Sequence, residues 1–228
     1  MSPESPVYKA VIFDLDGTLL DTIDDIAVAM NRVLEMRDLG SYPIEAYKAL
    51  VGDGVEELVR RAFSSHPLTD EEIAGIVRDF RREYGLCWRD HSRPYSGVPE
   101  LLEELARKGT KTAVLSNKSH PFTKIMTGEL LAHHRFDVVR GAMPGVPLKP
   151  DPRPALMIAS EMGVPPAAVV FLGDTNVDML TAVAAGMLPV GALWGFRSAE
   201  ELKAGGAAAL LASPLEILPY FPVGGKRR

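Results

Sequence analysis

The stretch Val7-Tyr8-Lys9-Ala10-Val11-Ile12-Phe13-Asp14-Leu15-Asp16-Gly17-Thr18-Leu19 decides how this chain is read. Its apolar, β-branched half predicts a buried strand. Two carboxylates stand where that strand ends, just before a glycine that lets the backbone turn sharply. Ligands of open α/β sheets bind outside the carboxyl ends of the strands, so Asp14 and Asp16 sit where chemistry is expected. Asp and Gly are also ordinary turn residues, and by itself the stretch leaves a plain turn open.

Working outward, the next block is helical. Ile23, Ile26, Ala27, Met30, Val33 and Leu34 form the stripe of an amphipathic helix that starts near Thr22 and stops before Gly40. Pro43 opens a shorter helical piece, Gly52-Asp53-Gly54 interrupts it, and Val55, Leu58 and Val59 resume the pattern until Pro67. Thr69 and Glu72 make a capping box ahead of Ile73, Ile76, Val77, Phe80 and Tyr84. No strand is expected between Thr22 and Arg93. Beyond Gly97 the pattern changes. A helix carried by Val98, Leu101, Leu102 and Leu105 leads to strands at 111–116, 136–140, 169–172 and 188–193, with helices at 120–131, 153–162 and 177–185 between them. A weak strand at 208–211 and a short helix after Ser213 finish the chain. Strands alternating with helices imply a parallel sheet. The expected fold is α/β: a Rossmann-like parallel-sheet core of residues 1–19 and 97–228, with an all-helical cap of residues 20–96 inserted through two turn-like crossings.

Composition narrows the class of function. The 228 residues are 46% hydrophobic and 24% charged, ordinary for a soluble globular protein. A net charge of -5 argues against a nucleic-acid partner, which is held mainly by phosphate neutralisation, and the only basic cluster is Lys226-Arg227-Arg228. No apolar run approaches the roughly 18 residues that span a bilayer, and Met1 to Pro6 lacks the features of a signal peptide. A cytoplasmic protein, monomer or homodimer, with no membrane partner is expected. The single cysteine, Cys87, cannot form an internal disulfide and reads as a semi-buried thiol, with no nucleophile motif around it. The five histidines show no metal spacing and read as surface or helix-end residues.

The remaining strand ends carry more chemistry. Ser116-Asn117-Lys118 offers a hydroxyl, an amide and a cation. Lys149 stands in Leu148-Lys149-Pro150-Asp151-Pro152, whose prolines stiffen the loop. Gly173-Asp174-Thr175-Asn176-Val177-Asp178 brings two further carboxylates to the mouth of a helix. Four acidic side chains and a lysine on one sheet edge are hard to explain as solvated turns. A hard divalent cation with oxygen ligands, Mg²⁺ above all, would reconcile them.

With these residues in order, the chain resembles the haloacid dehalogenase superfamily of phosphotransferases. Its four motifs appear as Asp14-Leu15-Asp16-Gly17-Thr18, Ser116-Asn117, Lys149-Pro150 and Gly173-Asp174 through Asp178. The resemblance implies a nucleophile, Asp14, that forms an aspartyl-phosphate, and an acid/base partner, Asp16. It implies a metal bound by Asp14, Asp174 and the main-chain carbonyl of Asp16, with Asp178 assisting through water or by orienting Lys149. Thr18 belongs to the first motif and is grouped with the phosphate-binding residues. Ser116 and Lys149 would hold the transferring oxygens, and Asn117 would support them. Members that dehalogenate or cleave phosphonates lack the second aspartate, so Asp16 favours phosphate esters. Sugar phosphomutases of the family place a histidine twelve positions past the nucleophile, where this chain has Ile26.

Gly52-Asp53-Gly54 reads either as a cap loop aiming backbone N–H groups at an anionic substrate or as a helix–helix turn. That loop, with Trp194-Gly195-Phe196-Arg197, makes the chain similar to the phosphoglycolate phosphatase branch, and the Trp194 stretch reads equally as a core-lining loop. The expected partner is a small phosphorylated metabolite, with 2-phosphoglycolate the leading substrate. A sugar phosphomutase, a pyrophosphatase, a nucleotidase and a catalytically silent binding module are the alternatives. An EF-hand reading of Asp14, Asp16 and Asp25 fails, because Gly17 falls at the fourth loop position rather than the sixth and the last position is not Glu.

Overall fold

Strand β1 (Ala10–Phe13) is buried on both faces, as its unbroken apolar run requires. Val11 and Phe13 enter one hydrophobic cluster, Ala10 and Ile12 the other. The computed structural model describes residues 8–222, so the readings of Val7, of Met1 to Pro6 and of Lys226-Arg227-Arg228 lie outside the described residues. After β1 come β2 (Leu20–Asp21) and four helices, α1 (Ile23–Glu35), α2 (Ile44–Leu50), α3 (Val55–Ala62) and α4 (Asp70–Cys87). The chain continues through β3 (Arg93–Pro94), α5 (Val98–Lys108), β4 (Lys111–Ser119), α6 (His120–Leu130), β5 (Val138–Ala142) and α7 (Arg153–Glu161). It ends with β6 (Val169–Gly173), α8 (Asn176–Ala185), β7 (Leu188–Ala192), α9 (Ala199–Ala204), β8 (Ala209–Leu211) and a 3₁₀ helix at Pro214–Tyr220.

Six strands form one parallel sheet in the order β5-β4-β1-β6-β7-β8. Helices cover both faces, α5 and α6 packing into the cluster that holds Phe13, α7 and α8 into the one that holds Ile12. The strand order reverses beside β1, so its boundary with β6 is the switch point where a doubly wound sheet opens a crevice. Asp14 and Asp174 follow the last residues of those two strands. The apolar faces of α1 to α4 belong to the same cluster as α5, which ties the inserted helices to the sheet. No helix among the described residues is long and apolar enough to cross a membrane.

Four details differ from the sequence reading. The crossings into and out of the helical block are not simple turns: β2 and β3 pair antiparallel, Leu20 with Pro94 and Asp21 with Arg93. Strand β4 runs on to Ser119, with its register against β5 shifting between Leu115 and Ser119, so Ser116, Asn117 and Lys118 sit on an irregular strand end rather than after it. Strand β5 lies at Val138–Ala142, two residues later than expected. Helix α9 was not anticipated, although its capping box, Ser198 with Glu201, is written in the sequence.

Asp25 closes the neck between the two crossings. Its carboxylate is fully buried in the first turn of α1 and accepts from the backbone N–H groups of His91 (3.1 Å) and Ser92 (2.8 Å) and from Ser92 Oγ (2.7 Å). Replacing Asp25 by Ala strands buried donors, so it is expected to cost roughly 3 kcal/mol or more, read from the urea midpoint. A loss under about 1 kcal/mol would contradict this account of the neck.

Candidate active site

Three carboxylates, Asp14, Asp174 and Asp178, offer oxygens that all lie within 4.8 Å of one another, and all three residues are buried. Each is held by a different device. The Asp14 N–H donates to Leu172 O (2.9 Å), extending the β1–β6 ladder by one residue. Asp174 accepts from Thr18 Oγ1 and from the Phe196 N–H, both at 2.8 Å. Asp178 is the third residue of α8 and closes a capping box on Thr175, accepting from its N–H (3.0 Å) and its hydroxyl (2.7 Å).

Lys149 brings the balancing cation. Its Nζ lies 2.6 Å from Asp178 Oδ1, a hydrogen bond, and 2.8 Å from Asp14 Oδ1. The second contact is an ion pair outside hydrogen-bond geometry, since Asp14 Oδ1 is buried without a hydrogen-bond partner. Asn117 fixes the lysine's main chain on both sides, accepting from its N–H (2.9 Å) and donating to its carbonyl (3.1 Å).

One ammonium cannot neutralise three carboxylates. Burial and then the charge of Asp178 push Asp14 well above the usual carboxylate range, against the pull of Lys149. The same causes push Asp174 up to about 7. Burial works against the Lys149 cation too, but Asp14 and Asp178 outweigh it and hold its pKa above normal. Fully ionised, this cluster of three carboxylates and one ammonium carries two net negative charges in a buried place. Clustered hard oxygens and that charge balance fit a divalent cation such as Mg²⁺.

The Asp16 carboxylate lies outside this trio. It accepts from Lys118 Nζ (2.9 and 3.0 Å) and Thr22 Oγ1 (2.8 Å). Lys118 also stacks its ammonium 4.6 Å from the ring centroid of Tyr84 on α4, so one side chain joins the second aspartate to the inserted helices. The sequence reading named Lys118 as a cation at a strand end without adding it to the site. What it missed is the tertiary contact with Asp16, 102 positions away.

A cavity of about 90 Å³ opens above Asp14 and Asp16. Ser116, Asn117 and Lys118 line it from the sheet edge, Gly52 and Gly54 from the α2–α3 connection, and Ile26, Leu58, Phe80, Tyr84 and Phe122 form an apolar wall. Arg81 lines it as well and makes no ion pair among the described residues. The loop Gly52-Asp53-Gly54 is thus a helix–helix turn in form, and its two glycines, at φ of +118° and +90°, border the cavity. The Asp53 side chain is turned away: its carboxylate pairs with Arg61 at 2.6 Å. Thr18 likewise spends its hydroxyl on Asp174. Cys87 is buried outside the site, where burial pushes its thiol up to about 11.

Over residues 11–192 the sequence matches the haloacid dehalogenase-like hydrolase family. The chain belongs to that family. Among its relatives, a phosphoglycolate phosphatase of Haemophilus influenzae is 31% identical over 195 residues, which is 83% of this chain and 87% of that protein. A phosphoglycolate phosphatase of Xylella fastidiosa is 32% identical over 200 residues, 87% of this chain and 86% of the other. A crystal structure of a candidate phosphoglycolate phosphatase from Lactobacillus delbrueckii superposes with a TM-score of 0.88 at 28% identity, covering 94% of this chain and 99% of that one.

In this haloacid dehalogenase-like hydrolase, two glycines admit the Asp174 carboxylate. A Cβ on Gly17, which has φ of +86°, would lie 2.2 Å from Asp174 Oδ2, and one on Gly195 would lie 2.2 Å from Asp174 Cβ and 2.4 Å from the Gly17 carbonyl. Gly195→Ala therefore displaces Asp174 or the loop. Its hydrolase activity is expected to fall about tenfold or more, because small misplacements at a reacting centre are costly, and assay at saturating Mg²⁺ checks it. Activity within twofold of wild type would contradict the packing argument.

Proposed function

We propose that this hydrolase is a Mg²⁺-dependent phosphatase of small anionic phosphate monoesters, with 2-phosphoglycolate as the leading substrate. The observation that carries the reading is the buried trio of Asp14, Asp174 and Asp178 around Lys149 at the switch point of the sheet. Asp14, Asp174 and the Asp16 carbonyl would hold Mg²⁺, with Asp178 behind them. When bound, the ion would offset the charge of the carboxylates and of the phosphate.

The chain's own residues do the rest. The Asp14 carboxylate attacks phosphorus and forms an aspartyl-phosphate as the bond to the leaving oxygen breaks. Asp16, on the lining of the cavity, gives that oxygen its proton. It then takes a proton from the water that attacks the aspartyl-phosphate, releasing phosphate and restoring Asp14. Ser116 and Lys149 hold the non-bridging oxygens, a matter of position and charge rather than covalent chemistry.

The cavity speaks for the substrate class. Arg81 on its lining, which makes no ion pair among the described residues, suits a second negative group on a small ester. The naming of the relatives as phosphoglycolate phosphatases supports the same choice. Ile26 forms part of the apolar wall and gives the mutase alternative no acid/base group.

Phosphate release from a panel of small esters, with Mg²⁺ and with chelator, tests the reading. The expected result is activity that disappears with chelator and is highest on a two-carbon phosphocarboxylate. Undiminished release in chelator would contradict the mechanism, and a preference for neutral or nucleotide leaving groups would contradict the substrate class.

A further inference from the structure

The connection after β7 touches three separate parts of the site with three nearly consecutive residues. Trp194 Nε1 donates to the Thr18 carbonyl (3.0 Å), and the Phe196 N–H donates to Asp174 Oδ2 (2.8 Å). Arg197 then reaches across to the inserted helices, where Nη2 donates to the Val51 carbonyl (2.7 Å) and Nη1 to the Lys48 carbonyl. Those carbonyls lie at the C-terminal end of α2, where the helix has no amides left to satisfy them and where its dipole favours a cation. The Arg197 side chain is 10% exposed, and Glu201, its one carboxylate neighbour among the described residues, stands 3.8 Å away. The residues it grips lead directly into Gly52, whose carbonyl accepts from Asn117 Nδ2 (3.1 Å).

We propose that Arg197 is a positioning residue that couples the carboxylate trio to the loop roofing the cavity, so that Mg²⁺ at Asp174 tightens the 48–54 segment over the substrate. The physical link is short. Asp174 holds the Phe196 amide, the next residue is Arg197, and its guanidinium holds α2 and the approach to Gly52. Whatever fixes the Asp174 carboxylate fixes the anchor of the guanidinium, and the loop follows. The proposal rests on the reading of the trio as a Mg²⁺ site.

Hydrogen exchange of the 47–58 segment in the full-length chain tests it, with and without Mg²⁺, alongside calorimetric Mg²⁺ titration. The variants are Arg197→Ala and Arg197→Lys, the second keeping the charge while losing the forked pair of donors. In wild type, Mg²⁺ is expected to slow exchange of this segment. In both variants Mg²⁺ should still bind, with the slowing lost. KM should rise about tenfold, as befits the loss of buried hydrogen bonds to a charged group, with a smaller change in kcat. Mg²⁺ binding that leaves exchange unchanged in wild type, or slows it equally in the variants, overturns the coupling alone. No Mg²⁺ binding in wild type overturns the metal reading and the coupling with it.

Discussion

Asp14→Asn is expected to lower phosphate release by at least about a thousandfold and, in the same protein, to raise the unfolding midpoint in the absence of metal. The loss follows from replacing the proposed nucleophile, a carboxylate on the cavity lining, with an amide that is no nucleophile. The gain follows from the electrostatics of the trio. Asp14 is buried with its pKa held well above normal, first by desolvation and then by Asp178, so its charge destabilises the fold. An amide of the same shape keeps the packing and removes a negative charge, while Lys149 keeps its hydrogen bond to Asp178. At roughly 2–4 °C per kcal/mol for a chain of this size, relief of even one kcal/mol is readable in a thermal melt. A variant that is inactive and also markedly less stable would point to a structural role for Asp14.

The second large effect is a pH dependence of stability that metal should remove. Burial and then Asp178 push Asp174 up to about 7 from a normal value of 3.8, and Asp14 is pushed in the same direction. A carboxyl whose folded pKa is raised binds more protons in the native than in the unfolded state. Between the two pKa values, stability must then fall as pH rises. Well below about pH 4 both states are protonated and nothing is lost; the Asp174 penalty grows as pH rises toward about 7, and Asp14 adds to it in the same direction. A tenfold difference in proton affinity between the folded and unfolded states is worth about 1.4 kcal/mol, so the metal-free protein should lose a few kcal/mol between these limits. Mg²⁺ acts on the ionised trio, so it should raise the unfolding midpoint much more at pH 8 than at pH 5. Urea melts at both pH values, with Mg²⁺ and with chelator, check this. An equal rise at the two pH values would contradict the charge argument.

How much of this was legible in the sequence depends on how local each signal is. The Ala10–Phe13 run, the motifs at Asp14 and Asp174 and the helical stripes of α1 and α4 are local in sequence, and each lies where its pattern indicated, whereas Ser116-Asn117-Lys118 falls on the irregular end of β4 itself. The Thr69–Glu72 capping box formed as written. The β2–β3 ribbon was hidden because two residues carry no periodicity and their pairing joins Leu20 to Pro94 across the whole helical block. The roles of side chains at the site were harder still. Thr18 looked like a phosphate contact and is committed to Asp174, 156 positions away. Asp53 reads in the sequence as part of a substrate-binding cap loop, and its carboxylate is committed to Arg61 on the next helix. The loop at Trp194 could be read as part of the core or part of the site. Its contacts with Thr18, Asp174 and α2 make it both, which only the folded arrangement reveals.

The central claim is that Asp14, carried by β1 to the switch point, is the atom donor of a covalent intermediate. Acid-quenching the enzyme during turnover with a small phosphate ester and Mg²⁺, then mapping the peptide that carries the phosphoryl group, tests it most directly. The expected result is a single acid-stable, hydroxylamine-sensitive phosphoryl group on Asp14, absent from the Asp14→Asn protein. A phosphoryl group on another residue, or rapid turnover with none on the chain at any quench time, would contradict it.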